Sequence, residues 1–226
     1  MDRQDNVIVE PSNLNECLIQ TFLRMTLGLL ATAIIAFFTY KTGFYIDVLT
    51  TISYPILAVI ELVVVVVFSL AFRKLPPLVV TILYYVYAIL NGVTMSIIFA
   101  AYDIGTISLA FFVTAFLFGG LALYGYTTKR DISKLSTICM VGLIIGIIVS
   151  IINIFIGNTI VDIILDWAML IVFCGLTAYD LYKIKSGQLQ VDINTEKMYV
   201  YYAMDLYLDF INIFIRLLSI FGRRRD

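Results

Sequence analysis

The amino-acid sequence predicts an all-α membrane protein, a seven-transmembrane-helix bundle with a central C-terminal helix. Three observations predict it. Hydrophobic residues make up 62% of the 226 residues and mean hydropathy is +0.99, against ~45–50% apolar content in soluble domains. Apolar runs repeatedly reach the ~20 residues that span hydrocarbon. Such continuous runs must be helices, because backbone amides in lipid have to be satisfied within their own segment. The short alternating segments of a β-barrel are absent.

A polar N-terminal segment, residues 1–21, carries Asp2, Asp5, Glu10 and Glu16 and no small-residue cleavage site, so the first helix itself is expected to direct insertion. The seven-helix domain, residues 22–221, then reads as Phe22–Tyr40, Val48–Phe72, Leu78–Tyr102, Ile104–Tyr126, Leu135–Ile156, Ile160–Tyr182 and Tyr199–Phe221. Leu75-Pro76-Pro77 opens the third helix, where proline's missing N–H does little harm. Connections are too short for a soluble domain, and residues 222–226 form a basic tail.

Lys and Arg concentrate in cytoplasmic loops. Here they follow helix two (Arg73, Lys74), helix four (Lys129, Arg130, Lys134) and helix six (Lys183, Lys185, Lys197), while the alternate loops hold only Lys41. The N-terminus is therefore expected to be cytoplasmic. Arg223, Arg224 and Arg225 disagree, since seven spans put them outside. Either the last segment re-enters and returns, or a packed seventh helix overrides a weak terminal signal; seven spans is the reading adopted.

Net charge of −1 without a basic cluster on a soluble domain argues against nucleic-acid partners. Histidine is absent, which excludes Ser-His and Cys-His nucleophile pairs and HExxH zinc sites within the chain. Cys17, Cys139 and Cys174 read as small buried hydrophobes, with no disulfide or cofactor expected.

Asp180 and Asp209 lie inside apolar runs, where a carboxylate costs roughly 2.5–3.5 kcal/mol by insertion scales, so intramembrane acids mark ion or proton paths. In the last segment Asp205, Asp209, Asn212 and Arg216 are spaced four, three and four residues apart. That spacing puts them on one helical face, which places the segment at the bundle centre. Asp180, on the preceding antiparallel helix, is the natural partner of Asp209. The depths match loosely, because Asp209 is about ten residues, roughly 15 Å, into its helix and Asp180 lies nearer its loop. Two such carboxylates share a proton and titrate as a unit, and with Asn212 and backbone carbonyls they offer oxygen ligands to a transient calcium ion. Glu61 in helix two and Asn91 in helix three are polar residues of the same interior, or else polar glue between helices, as are Asn153 and Asn212. Arg216 either pairs with an acid or snorkels to the far interface. Gly142 and Gly146 read as a close packing face, and Gly119-Gly120 as the one candidate helix break.

Tyr207-Leu208-Asp209-Phe210-Ile211-Asn212, Ala178-Tyr179-Asp180 and Tyr124-Gly125-Tyr126-Thr127-Thr128-Lys129-Arg130-Asp131 together resemble the Bax-inhibitor family, the transmembrane Bax inhibitor motif proteins. The resemblance covers the chain from the first helix to the last. It implies a seven-helix fold with a central last helix and a pH-sensitive calcium leak, calcium being the permeant ion. It assigns the di-aspartyl sensor to Asp180 and Asp209, with Tyr179 beside it, and a basic residue at the cytoplasmic end of helix two, matched best by Arg73, as a sensor contact. Asp205 departs from the family pattern, where a small or uncharged residue is usual. The bare length resembles bacterial members, so a bacterial plasma membrane is expected.

A pH-gated calcium leak is thus the leading function, with no enzymatic activity, and with the bilayer, calcium and protons as its partners. A regulatory protein of stress or cell-death control that binds other membrane proteins without conducting is the alternative. An intramembrane aspartyl protease is a weaker one, since its GxGD and Pro-Ala-Leu motifs are missing around Asp209.

Overall fold

A computed structural model describes residues 11–51, 54–187 and 195–222. Those residues fold into α1 (Pro11–Lys41), α2 (Phe44–Thr51), α3 (Tyr54–Ala71), α4 (Pro77–Met95), α5 (Ile98–Ala101), α6 (Ile104–Thr127), α7 (Ser133–Ile156), α8 (Thr159–Ser186) and α9 (Thr195–Gly222). The all-α reading holds. By length and composition α1, the α4–α5 pair, α6, α7 and α8 can each cross a membrane, and α3 is shorter, with its apolar part at Val59–Ala71. Large apolar side chains face outward along these helices, Phe116 at 88% exposure and Phe155 at 86% among them. No water-soluble surface tolerates that much contiguous apolar area, so the chain is an integral, multi-pass membrane protein.

Three segments differ from the sequence reading. Helix one begins at Pro11 rather than near residue 22, because Leu14, Cys17, Leu18, Phe22 and Met25 form a helical-period apolar stripe packed into the core. The single helix expected over Val48–Phe72 is two, α2 and α3, with Pro55 in the first turn of α3. Proline is tolerated there, whereas inside one continuous helix it costs ~3 kcal/mol. The Leu78–Tyr102 segment divides at Ser96. The Ser96 hydroxyl donates to the Val93 carbonyl at 2.5 Å, and the Ile97 and Phe99 amides reach back three residues to Thr94 and Ser96, the tightened hydrogen bonding of a 3₁₀ turn. Pro77 opens α4 as expected, Pro76 being its extended N-cap. Gly119-Gly120 breaks nothing, since α6 runs through it.

α9 is the most enclosed helix, packed by α1, α4, α6 and α8. It carries Glu196, which is exposed at its first turn, and Lys197, Asp205, Asp209 and Arg216, which neighbouring helices cover wholly or in part. Its first turn meets α1 through Arg24–Glu196 at 2.6 Å and the α3–α4 turn through Lys197 Nζ, which donates to the Arg73 carbonyl at 2.8 Å. Lys185 Nζ donates to the Thr128 carbonyl at 2.9 Å. The turns after α3, α6 and α8 thus gather at one end, hereafter the basic end. At the other end of α9, Gly222 lies against the Tyr102 ring. The helix is thus unbroken from Thr195 to Gly222, with contacts to its neighbours at both of its ends. Arg223, Arg224 and Arg225 lie outside the described residues.

Small residues bring α8 close to its neighbours. Gly125 in α6 lies against the Ala178 carbonyl, leaving no room for a side chain there, and Gly146 in α7 lies against the flexible Met169 thioether. Asn153 ties the α7–α8 turn: its amide donates to the Asn158 carbonyl at 3.1 Å and to Asp162 at 2.6 Å. The Asp162 bond joins α7 to α8, the kind of contact the polar-glue reading describes.

Candidate functional site

The polar stripe of α9 faces α8, and the two antiparallel helices make a seam of ionisable side chains. At its basic-end portion Lys183 Nζ stands 3.0 Å from Asp205 Oδ2 and 4.0 Å from Asp180 Oδ1. The rings of Tyr201 and Tyr202 flank the same ammonium at 4.7 and 5.7 Å, within cation–π range. Asp209 lies about one turn, roughly 6 Å, deeper along α9 than Asp205. It is 4% exposed, and its Oδ2 has no protein hydrogen-bond partner among the described residues. The Thr177 hydroxyl, which donates to the Phe173 carbonyl at 2.8 Å, is its polar neighbour on α8.

The expected Asp180–Asp209 pair is therefore a larger group. Asp209 shares the α9 face of Asp205, one turn away, but among the described residues no hydrogen bond joins Asp180 to Asp209. Asp205, one turn nearer the loop, shares Asp180's level, which resolves the mismatch in depth noted in the sequence. Lys183 is the basic member of the group. Arg73 is elsewhere: its guanidinium lies over the Phe72 ring at 5.9 Å and its carbonyl accepts from Lys197. Tyr179 packs near Tyr182, ring centroids 6.3 Å apart. Among the described residues no set of three or more His, Cys, Asp or Glu is arranged to hold a metal. The acids surround an ammonium instead.

A second polar chain crosses the middle of the bundle. Asn91 donates to Glu61 Oε2 at 3.3 Å and accepts from the Tyr207 hydroxyl at 3.1 Å, and Tyr207 meets the Thr32 hydroxyl at 2.6 Å. Thr32 donates to the Ala88 carbonyl at 2.9 Å. Glu61 and Asn91 thus join α3, α4, α9 and α1, away from the Asp180 group. Glu61 Oε1 is buried, with no hydrogen-bond partner among the described residues.

At the far end of the seam one Arg216 guanidinium N–H donates to Asp166 Oδ1 at 2.9 Å, and the Ser219 hydroxyl donates to Asp166 Oδ2 at 2.6 Å. Arg216 pairs with an acid rather than reaching for the interface. Asn212, between the two charged groups, donates to the Leu208 carbonyl of its own helix at 2.8 Å.

Sequence reasoning missed Lys183 and Asp166. Lys183 reads as a loop charge, yet it follows Asp180 by three residues, the spacing of neighbours on one helix face. Asp166 sits in Ile163-Ile164-Leu165-Asp166-Trp167, so the cost that singles out Asp180 and Asp209 applies to it equally.

Outside the spanning segments, Asp131 is held below the usual carboxylate range by the Ser133 hydroxyl and by the Ser133 backbone N–H, which donates at 2.9 Å. It satisfies one of the free amides at the start of α7.

The family model described as inhibitor of apoptosis-promoting Bax1 matches residues 14–226. Inner membrane protein YbhL of Escherichia coli K12 is 37% identical over 229 residues, covering 99% of this chain and 98% of the relative. Uncharacterised proteins of Borreliella burgdorferi and Rickettsia prowazekii are 34% and 32% identical, each over 94% of this chain. With the model match running through nearly every described helix, the chain belongs to the Bax-inhibitor family.

Proposed function

We propose that this protein is a seven-span, pH-sensitive calcium leak of the bacterial plasma membrane, with a cytoplasmic N-terminus, working as a channel and not an enzyme. The observation that carries this reading is the group of three carboxyl side chains, Asp180, Asp205 and Asp209, served by the single ammonium of Lys183 between α8 and α9. So many acids in a low-dielectric interior cannot all ionise cheaply, so their protons come off as a coupled set. Proton loss leaves net negative charge beside the central helix. That charge repels within the group and attracts a hard cation, which links proton occupancy to cation passage. The five helices long and apolar enough to cross, taken together with α3 and α9, support a reading of seven crossings. The gathering of Arg73, Lys185 and Lys197 at one end supports a cytoplasmic basic end. YbhL's name as an inner membrane protein supports the location.

Purified protein in liposomes is expected to pass calcium at a rate that changes with pH, and Asp180→Asn and Asp209→Asn are each expected to flatten that dependence. Flux unchanged in both variants removes the sensor assignment. Absence of flux from the wild type at every pH favours a regulatory membrane partner that conducts nothing.

A further inference from the structure

The Asp166–Arg216–Ser219 group stands apart from the acids at the basic end and has a cavity of its own. A space of about 280 Å³ opens beside it, lined by Thr94, Ile98, Tyr102, Asp166, Arg216 and Ser219 among others. Its other wall is the α4–α5 turn, where hydrogen bonding tightens around Ser96. The group thus lies where the α8–α9 seam reaches the far mouth of the bundle.

Asp166 is 3% exposed, and its carboxylate is engaged by Arg216 and Ser219. Arg216 contributes one guanidinium N–H at 2.9 Å, while its Nε is buried without a partner among the described residues. A single N–H holds less firmly than the two parallel bonds of an arginine fork. The guanidinium keeps a fully charged cation, fixed to α9, on the one anionic side chain the cavity presents.

We propose that Arg216 is a tethered cation that stoppers the far mouth: it occupies the Asp166 carboxylate that a passing cation would otherwise use, and movement of α9 relative to α8 releases it. The stopper extends the calcium-leak reading and rests on it. It differs from the basic end in chemistry. Among the described residues one acid side chain lines this cavity and faces one guanidinium, and eleven residues of α9 separate Arg216 from Asp205, so its hold is independent of the Asp180 group.

The test compares wild type, Arg216→Gln and the charge exchange Asp166→Arg/Arg216→Asp in calcium-loaded liposomes across a pH series. Arg216→Gln is expected to raise flux by about tenfold at every pH while keeping the wild-type ratio between pH values, the change that follows from loss of a closed-state hold of roughly 1.4 kcal/mol. The exchanged pair is expected to return flux to near the wild-type level. A conducting, pH-sensitive wild type beside an Arg216→Gln protein of equal flux overturns the stopper and leaves the leak standing. A second measurement does not depend on conduction. Ser219→Cys, placed in a chain with Cys17, Cys139 and Cys174 changed to Ala, is treated with a membrane-impermeant cationic thiol reagent. Labelling is expected to be about tenfold faster when Arg216→Gln is added, and equal rates overturn the stopper even where no variant conducts. Should Arg216→Gln fail to fold, Arg216→Lys keeps a tethered cation beside Asp166; labelling near the wild-type rate is then expected, and a tenfold faster rate overturns the stopper.

Discussion

The two ends of the α8–α9 seam join the same helices through a cation–carboxylate contact, and they are built differently. At the basic end the cation, Lys183, stands on α8 with Asp180, faces Asp205 on α9, and has Asp209 a turn deeper, so acids outnumber cations. At the far end Asp166 on α8 faces Arg216 on α9, one to one, with Ser219 on the second carboxylate oxygen. An unbalanced group changes charge as it takes up or releases protons, whereas a balanced pair holds position. One seam therefore carries a part suited to sensing and a part suited to fastening, separated by eleven residues of α9, roughly 16 Å.

The sharpest way to break this contrast is to remove the lone cation of the unbalanced end. Lys183→Met is expected to destabilise the protein by about 3 kcal/mol, the lower part of the range for orphaning one member of a buried ion pair, because the Lys183 side chain is 15% exposed. The loss should be largest at high pH, where the acids are ionised, and shrink at low pH, where protonated carboxyls need no counter-ion. Thermal unfolding in detergent across pH reads both features, and a pH-independent loss would make the two ends alike. Tyr207→Phe tests the region between them, deleting the hydroxyl that meets both Asn91 and Thr32. It is expected to cost roughly 1 kcal/mol, in line with hydrogen bonds measured in membrane interiors, and to leave the pH profile of flux unchanged. Ser219→Ala at the balanced end is expected to cost about 1 kcal/mol through loss of one donor to a carboxylate, with Arg216 still in place, and unfolding midpoints compared with the wild type check it.

The smallest effect belongs to Asp131, in the exposed turn before α7. Its carboxyl is held below the usual range by Ser133, so the contribution is fully present above the ordinary carboxylate pKa and is lost as pH falls through the lower folded value. Asp131→Asn is expected to shift the unfolding midpoint slightly at neutral pH and not at all in strong acid. A shift that persists in acid would locate the effect in something other than the ionised carboxyl.

Much of the site was legible before any coordinates. The four-three-four spacing of Asp205, Asp209, Asn212 and Arg216 announced an inward face on the last helix, and that face does turn to the preceding helix. The partners along it were not legible. A helical period tells which residues share a face, but the axial register between two helices depends on where their backbones touch. Gly125 against Ala178 and Gly146 against Met169 help set the position of α8, and with it the level at which Asp180 meets α9.

Composition and apolar run length by themselves determined that this chain is helical and lives in a membrane, because hydrocarbon accepts no other backbone arrangement for continuous apolar segments. Motif residues alone pointed to the family. Only the tertiary structure decided that Lys183 turns inward between Asp180 and Asp205, that Asp209 lies a turn deeper than its expected partner, and that Arg216 closes on Asp166. The reason is physical: a charge's neighbours in a folded interior are set by depth and packing across helices, and a linear spacing encodes neither.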